Sequence, residues 1–251
     1  MLKVSHLNKS YESGGNIYPV LKDVSFEIEK GEFVAVMGPS GSGKTTLLNC
    51  ISCFIAADSG SVILGDSDIS SLNEEAIAKV RNEKLGFVFQ DFMLLDGLTV
   101  SENICMPQII AKKPIAQMEA KAEKLCRLFG IDQIMNKYPA EISGGEKQRT
   151  AVARSLMNNP FIILADEPTG NLDSKSCTAV IEAFLQAKKE AGATIFMVTH
   201  DSYAASFCDR VIVLKDGCIY QEITRTGTRR QFMDQLLDIL RNLGGADHDN
   251  Q

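Results

Sequence analysis

The chain has 251 residues, 45% hydrophobic and 23% charged, a balance that supports an ordinary globular core and excludes a largely disordered chain. Lysine plus arginine number 26 against 32 acids, for a net charge of −6, which speaks against a dedicated nucleic-acid binder. No apolar run approaches the roughly 18 residues of a membrane span. The start, Met1-Leu2-Lys3-Val4-Ser5-His6-Leu7, lacks the apolar centre of a signal peptide, so a soluble, intracellular chain is expected. The seven cysteines are odd in number and scattered, which points to reduced thiols rather than a disulfide scaffold.

In chain order, Val20 to Met37 reads as strand, charged turn (Glu29-Lys30-Gly31-Glu32) and strand. Phe33 to Met37 runs into a glycine-rich loop, Gly38 to Gly43, and from Thr45 the chain continues without glycine or proline, as a helix does. Leu85 to Phe89 is another short apolar strand, and Thr99 to Asn159 has helical spacing. Strands return at Phe161 to Ala165, Thr194 to Thr199 and Arg210 to Leu214, with helical patterns between them. That alternation predicts an α/β sheet with the middle helical stretch inserted. Arg229 to Leu243 is a last amphipathic helix, and Ala246 to Gln251 is expected to be a loose polar tail.

Gly38-Pro39-Ser40-Gly41-Ser42-Gly43-Lys44-Thr45 fits the phosphate-loop pattern G-x-x-x-x-G-K-[ST]. Glycines let successive backbone N–H groups converge on phosphate oxygens, and the following helix offers its positive end to the anion. Lys44 can bond the β- and γ-phosphates, and the Thr45 hydroxyl can ligate Mg²⁺. An accidental match arises in roughly one chain in a hundred of this length, and the strand-before, helix-after context lowers those odds. Gly38 through Thr46 are therefore candidate ATP contacts.

Three more elements follow: Ile142 to Arg149 (I-S-G-G-E-K-Q-R), Phe161 to Asp173 (F-I-I-L-A-D-E-P-T-G-N-L-D) and Ile195 to Asp201 (I-F-M-V-T-H-D). Together with the loop, in this order and over nearly the whole chain, they resemble the ATPase subunit of ATP-binding-cassette (ABC) transporters. Asp166 ends an apolar strand, where ligands of α/β sheets sit, and can hold the Mg²⁺ shell. Glu167 beside it can orient or deprotonate the attacking water. The bland reading of the pair is a helix cap plus a surface carboxylate. Ser143-Gly144-Gly145 is either a second anion cradle or a plain helix start. His200 can donate a hydrogen bond as charge develops on the γ-phosphate, against an ordinary structural histidine.

The resemblance implies the rest. The fold would be a P-loop NTPase, a RecA-like core sheet with an antiparallel β subdomain and an inserted α-helical subdomain. Its bounds would be a single ATPase domain over 1–224 (core about 1–91 and 160–224, helical part about 92–159), then a C-terminal helix and tail over 225–251. Ser143, Gly144, Gly145 and Glu146 would close over ATP held by another copy, making an ATP-dependent head-to-tail homodimer. Glu146 stands where the family usually has glutamine, a departure read as tolerated. Gln90 matches a loop glutamine that touches Mg²⁺ and senses the membrane partner, Tyr11 an aromatic stacked on adenine, and Asn171, Leu172 and Asp173 a loop crossing the dimer interface. The implied cofactors are ATP and Mg²⁺. The partner is an integral membrane permease, with no nucleic acid, and the place is the cytoplasmic face of the membrane.

Cys50 and Cys53 form a C-x-x-C better read as core thiols than as a metal or redox pair. Phe92-Met93-Leu94-Leu95 is either core or a partner-facing patch. The stretch Glu12 to Pro19 and the A-D-E-P-T-G-N-L-D string resemble the macrolide-exporter and lipoprotein-release branch. Within it, Val198 to Tyr220 and the tail R-R-Q-F-M-D-Q-L-L-D-I-L-R-N-L-G-G are similar to bacitracin-type peptide-antibiotic resistance transporters. Whether a sensor histidine kinase joins through the permease stays open. A mechanotransmission subunit of the cell-division type would share every ATP motif, and a soluble ABC ATPase acting on DNA or ribosomes is the weaker alternative.

Overall fold

A computed structural model describes residues 1–245, so the tail expected at Ala246 to Gln251 lies outside the described residues. The chain forms two compact units, one made of 1–72 with the described residues from 196 on, the other of 73–195.

The first unit holds an antiparallel sheet of strands β1 (Leu2–Ser13), β2 (Asn16–Ile28), β4 (Ser59–Leu64) and β5 (Ser67–Asp68), in the order β2-β1-β4-β5. Apolar residues alternate with polar ones along its pleat: Val24, Phe26 and Ile28 are buried while Ser25 and Glu27 are exposed. Leu2 pairs with both Ile28 and Leu64, so β1 lies centrally and supplies the middle of that buried face. Strand β3 (Phe33–Met37) reads differently, because all five residues are buried, as in a parallel strand covered on both sides. It runs parallel to β9 (Arg210–Lys215), from Val34 opposite Arg210 to Met37 opposite Val213. Strand β10 (Cys218–Thr224) returns antiparallel to β9. Helix α1 (Lys44–Ile51) follows the loop after β3. The amphipathic C-terminal helix α8 (Arg229–Gly245) buries Phe232, Leu236 and Leu243, and the Arg229 guanidinium lies 4.3 Å from the Phe207 ring centre and 5.0 Å from that of Tyr203.

The second unit contains α2 (Glu74–Glu83), β6 (Leu85–Phe89), α3 (Val100–Ile110), α4 (Ile115–Leu128), α5 (Gly144–Ser155), β7 (Ile162–Asp166) and α6 (Ser174–Ala191). Strand β8 (Ile195–Val198) begins where this unit ends. The helices expected between Thr99 and Asn159 are therefore three. The first starts on a reciprocal cap, in which Thr99 accepts from the Glu102 amide while the Glu102 carboxylate accepts from the Thr99 amide. Strands β6 and β7 are parallel, with Leu85 opposite Ile162 and Phe89 opposite Asp166. That register brings the chain just after Phe89 and the chain just after Asp166 to one end of the strand pair.

Candidate nucleotide site

The glycine loop Gly38 to Gly43 is built from β3 to α1 with little room for side chains. A Cβ at Gly38 would lie 2.2 Å from Leu214 O and 2.7 Å from Ser42 Oγ, so the loop packs against the backbone of β9. Gly43 has φ 100° and caps α1 without any side-chain hydrogen bond. Gly43 itself thus offers the first turn of α1 no side-chain acceptor of the kind an N-cap ordinarily supplies. Lys44 Nζ donates to Gly38 O and Pro39 O, both at 2.9 Å, and so curls over the loop it follows. Ser42 is 2% exposed, and its Oγ has no hydrogen-bond partner among the described residues. A buried orphan hydroxyl next to a glycine-capped helix start and an ammonium is a polar setting suited to an anion such as a phosphate.

His200 belongs to the same unit. Thr199 N donates to Val36 O at 3.1 Å, which sets His200 at the end of β3 where the loop begins. Its side chain is exposed. Tyr11, on β1, is 43% exposed, with Lys9 Nζ 5.6 Å from its ring centre, which leaves aromatic surface available for stacking.

The second unit gathers the other expected residues. Gln90 follows Phe89, and Glu167 follows Asp166, at the carboxyl ends of the paired strands. Glu167 has φ 45°, a left-handed backbone rare for a residue with a side chain and common at functional turns. Gln90 Nε2 donates to Asn171 Oδ1 at 3.0 Å, and Asn171 Nδ2 donates to Asp91 Oδ1 at 3.0 Å. The glutamine loop and the Asn171 loop are therefore held together, an association the sequence does not display. Asp173 plays a different part within that loop: its carboxylate caps α6, accepting from the amides of Lys175 and Ser176 and from the Ser176 hydroxyl. Those bonds hold its carboxyl below the usual range, the Ser176 hydroxyl contributing most.

Ser143 is the N-cap of α5, which makes Ser143-Gly144-Gly145 a helix start as expected. Glu146 folds back on it. Its carboxylate accepts from Ser143 N and from Ser143 Oγ, both at 2.8 Å, while Glu146 N donates to Ser143 Oγ at 3.4 Å. The Ser143 amide, then the Ser143 hydroxyl, Arg149 and Lys137, keep the Glu146 carboxyl ionised below its ordinary range against some desolvation.

Two residues escape the motif reading, Gln148 inside the Ile142–Arg149 motif and Arg154 outside every motif. Gln148 is fully buried and donates to Phe89 O at 3.1 Å and Pro168 O at 2.8 Å, tying α5 to the chain on both sides of the Asp166–Glu167 end. Arg154, in the last turn of α5, donates to Phe92 O at 2.8 Å and to Met93 O. The place of Gln148 inside the Ile142–Arg149 motif is the one signal the sequence offered. Of the apolar run after Gln90, Met93 (57%) and Leu95 (49%) are exposed, while Phe92 and Leu94 are half-buried. Cys50 is buried and its thiol is pushed up to about 11 by desolvation, as the core-thiol reading expects, whereas Cys53 is only half-buried.

The sequence pattern of the family described as ABC transporter matches residues 21–170. The chain belongs to that family: it is an ATP-binding subunit that hydrolyses ATP as the motor of a membrane transporter. It is 48% identical over 249 residues to the ABC transporter ATP-binding protein YxdL of Bacillus subtilis (strain 168), covering 99% of this chain and 96% of that protein. It is 44% identical to the bacitracin export ATP-binding protein BceA of Halalkalibacterium halodurans, covering 100% and 99%. The lipoprotein-releasing system ATP-binding protein LolD of Idiomarina loihiensis is 40% identical, over 88% of this chain and 97% of its own. Among solved structures, the dimeric bacterial cassette MJ0796 aligns with a TM-score of 0.82 at 39% identity, covering 91% of this chain and 100% of that one. Its post-hydrolysis form with ADP and phosphate aligns at 0.81. The expected P-loop NTPase fold stands on those alignments. Among the described residues no helix is long and apolar enough to cross a membrane.

Proposed function

We propose that this ATPase drives a separate permease conferring resistance to peptide antibiotics of the bacitracin or lantibiotic type, from the cytoplasmic face of the membrane. One observation carries the reading: the likeness to the bacitracin export protein runs through all of this chain, whereas the likeness to the lipoprotein-releasing protein covers 88%. The test is to delete this gene and, separately, the gene of a permease that co-purifies with this subunit. Resistance to bacitracin should fall with either deletion and return only when both proteins are present. Unchanged resistance in both deletions would overturn the cargo reading and leave the ATPase intact.

In the proposed cycle Lys44 neutralises the terminal phosphates, the loop amides of Gly38 to Thr46 bind their oxygens, and Tyr11 stacks on adenine. The Thr45 hydroxyl, the Asp166 carboxylate and the Gln90 amide oxygen are hard oxygen donors of the kind Mg²⁺ takes alongside phosphates. An ion held by donors of this kind would offset charge on the phosphate oxygens. Glu167 accepts the proton of the attacking water, and His200 donates to the γ-phosphate as charge develops. Ser143 to Glu146, with Asn171 to Asp173, act across a head-to-tail homodimer that ATP closes. The dimeric cassette among the structural relatives supports that step.

A further inference from the structure

Helix α5 does more than present Ser143. Its residues Gly144, Lys147, Ala151 and Arg154 fall on one stripe by helical spacing, and Gly144, Lys147 and Arg154 of that stripe lie near Phe92. At the start of the helix a Cβ on Gly144 would lie 3.8 Å from Phe92 Cζ, and Lys147 Nζ is 6.0 Å from the Phe92 ring centre. One turn on, Gln148 holds Phe89 O. At the far end the Arg154 guanidinium takes the carbonyls of Phe92 and Met93 together.

Those two residues have φ 61° and 48°, a consecutive left-handed pair that neither phenylalanine nor methionine adopts readily. Successive residues of one helical hand aim their carbonyls the same way, so the pair presents two acceptors to one planar fork. Arginine fits such a pair, and lysine, with a compact ammonium, does not. Burial pushes the Arg154 pKa down to about 10, so the charge is held there against a solvation cost. The next stretch is fixed separately: buried Asn103, on α3, accepts from Leu95 N and donates to the carbonyls of Leu95, Leu98 and Thr99. The side chains of Met93 and Leu95, one at each anchor, stand out to solvent.

We infer that Arg154 is a positioning residue that locks the left-handed Phe92–Met93 turn onto α5, so that the Ser143 helix and the exposed pair Met93 and Leu95 move as one body. The inference rests on the motor reading and takes the exposed pair Met93 and Leu95 as the partner-facing part of the apolar run. The route from nucleotide to permease then runs along α5 as well as through Gln90. A carbonyl clamp has no other evident use at a surface turn that the helix packing alone would not impose.

The test compares wild type, Arg154→Lys and Arg154→Met, as the isolated subunit and as the complex with its permease in lipid nanodiscs. Hydrogen exchange of the amides of Met93 to Leu95 should speed up at least tenfold in Arg154→Met and less in Arg154→Lys. ATP affinity and basal ATPase of the isolated subunit should stay within twofold. Stimulation of ATPase by the permease should fall at least fivefold in Arg154→Met, with partial recovery in Arg154→Lys. Unchanged exchange, or full stimulation despite faster exchange, overturns the proposal. If Arg154→Met fails to fold, Arg154→Lys decides by the same two readouts, native values overturning it. A wild-type subunit that its permease does not stimulate would refute the motor reading instead, while the exchange data would still judge the lock.

Discussion

The two helix starts that the motifs mark, α1 after the glycine loop and α5 after Ser143, solve the same problem in opposite ways. Both leave backbone N–H groups that need acceptors. At α1 the cap is Gly43, with no side chain to offer and no acidic residue in the first turn. At α5 the cap is Ser143, and Glu146 closes a reciprocal box with it. The first end is therefore open to an anion, with Lys44 and the orphan Ser42 hydroxyl beside it. The second is already satisfied, and the Ser143 hydroxyl has its one proton committed to a carboxylate. Its neighbour is also ionised, which repels a second anion. An open cradle binds by itself, whereas a closed one contributes only when other contacts already hold the ligand in place. In the proposed cycle the open cradle takes up ATP and the closed one meets another copy's nucleotide.

The sharpest division is between holding ATP and cleaving it. Glu167→Gln should bind ATP normally and turn it over roughly 10²–10⁴-fold more slowly, the contribution of a positioned general base. Phosphate release measures it, and retention of more than about a tenth of wild-type turnover would remove Glu167 from that role. The same variant should be monomeric without nucleotide and dimeric with ATP and Mg²⁺ by light scattering.

Next in size is the contrast between the cradles themselves. Lys44→Ala removes a charged donor, and with charge-assisted bonds worth ~1.5–3 kcal/mol it should weaken ATP binding to the isolated subunit at least tenfold. Ser143→Ala should leave that affinity within about twofold, because its box spends the hydroxyl internally. Titration calorimetry on both would break the comparison if the two losses came out equal.

A smaller effect concerns the loop's construction. Gly38→Ala would push a methyl into Leu214 O and Ser42 Oγ. Overpacking of this kind costs about 1–3 kcal/mol, to be read from urea unfolding. A loss under half of that would mean the loop can shift away from β9.

The smallest effect is a pH dependence confined to α5. Glu146 is depressed in the folded state by the Ser143 amide and hydroxyl, so its stabilisation is present above the unfolded pKa and is lost as pH falls through the folded one. Acidification below the ordinary glutamate range (about 4.3) should loosen the first turn of α5, seen as faster exchange of the Ser143 amide. Glu146→Gln should abolish that dependence. The start of α1 has no acid in its first turn and should show none.

Legibility followed distance along the chain. The phosphate loop, the Asp166–Glu167 strand end and the Ser143 cap could be read because each is a run of neighbours whose backbone geometry their own residue types impose. The first strand was missed for a local reason: its alternation starts with Leu2 and Val4 but slips at His6, where φ is 51° and the pairing with β2 shifts register. Gln148 could be suspected only from its place in a motif. Its partners are 59 and 20 residues away, and those of Arg154 are 61 and 62.

By itself the sequence determined which atoms are present for the chemistry: a lysine after glycines, paired acids after a buried strand, a hydroxyl opening a helix. Tertiary structure decided how each is used. It bonded Gln90 to Asn171, turned Asp173 into a helix cap, folded Glu146 onto Ser143, and split one apolar run into half-buried Phe92 and exposed Met93 and Leu95. Residue type sets donors, acceptors and charge, and short loops impose local backbone shape. Which donor meets which acceptor across sixty residues depends on strand register and helix packing, and these exist only once the whole apolar surface has been buried together.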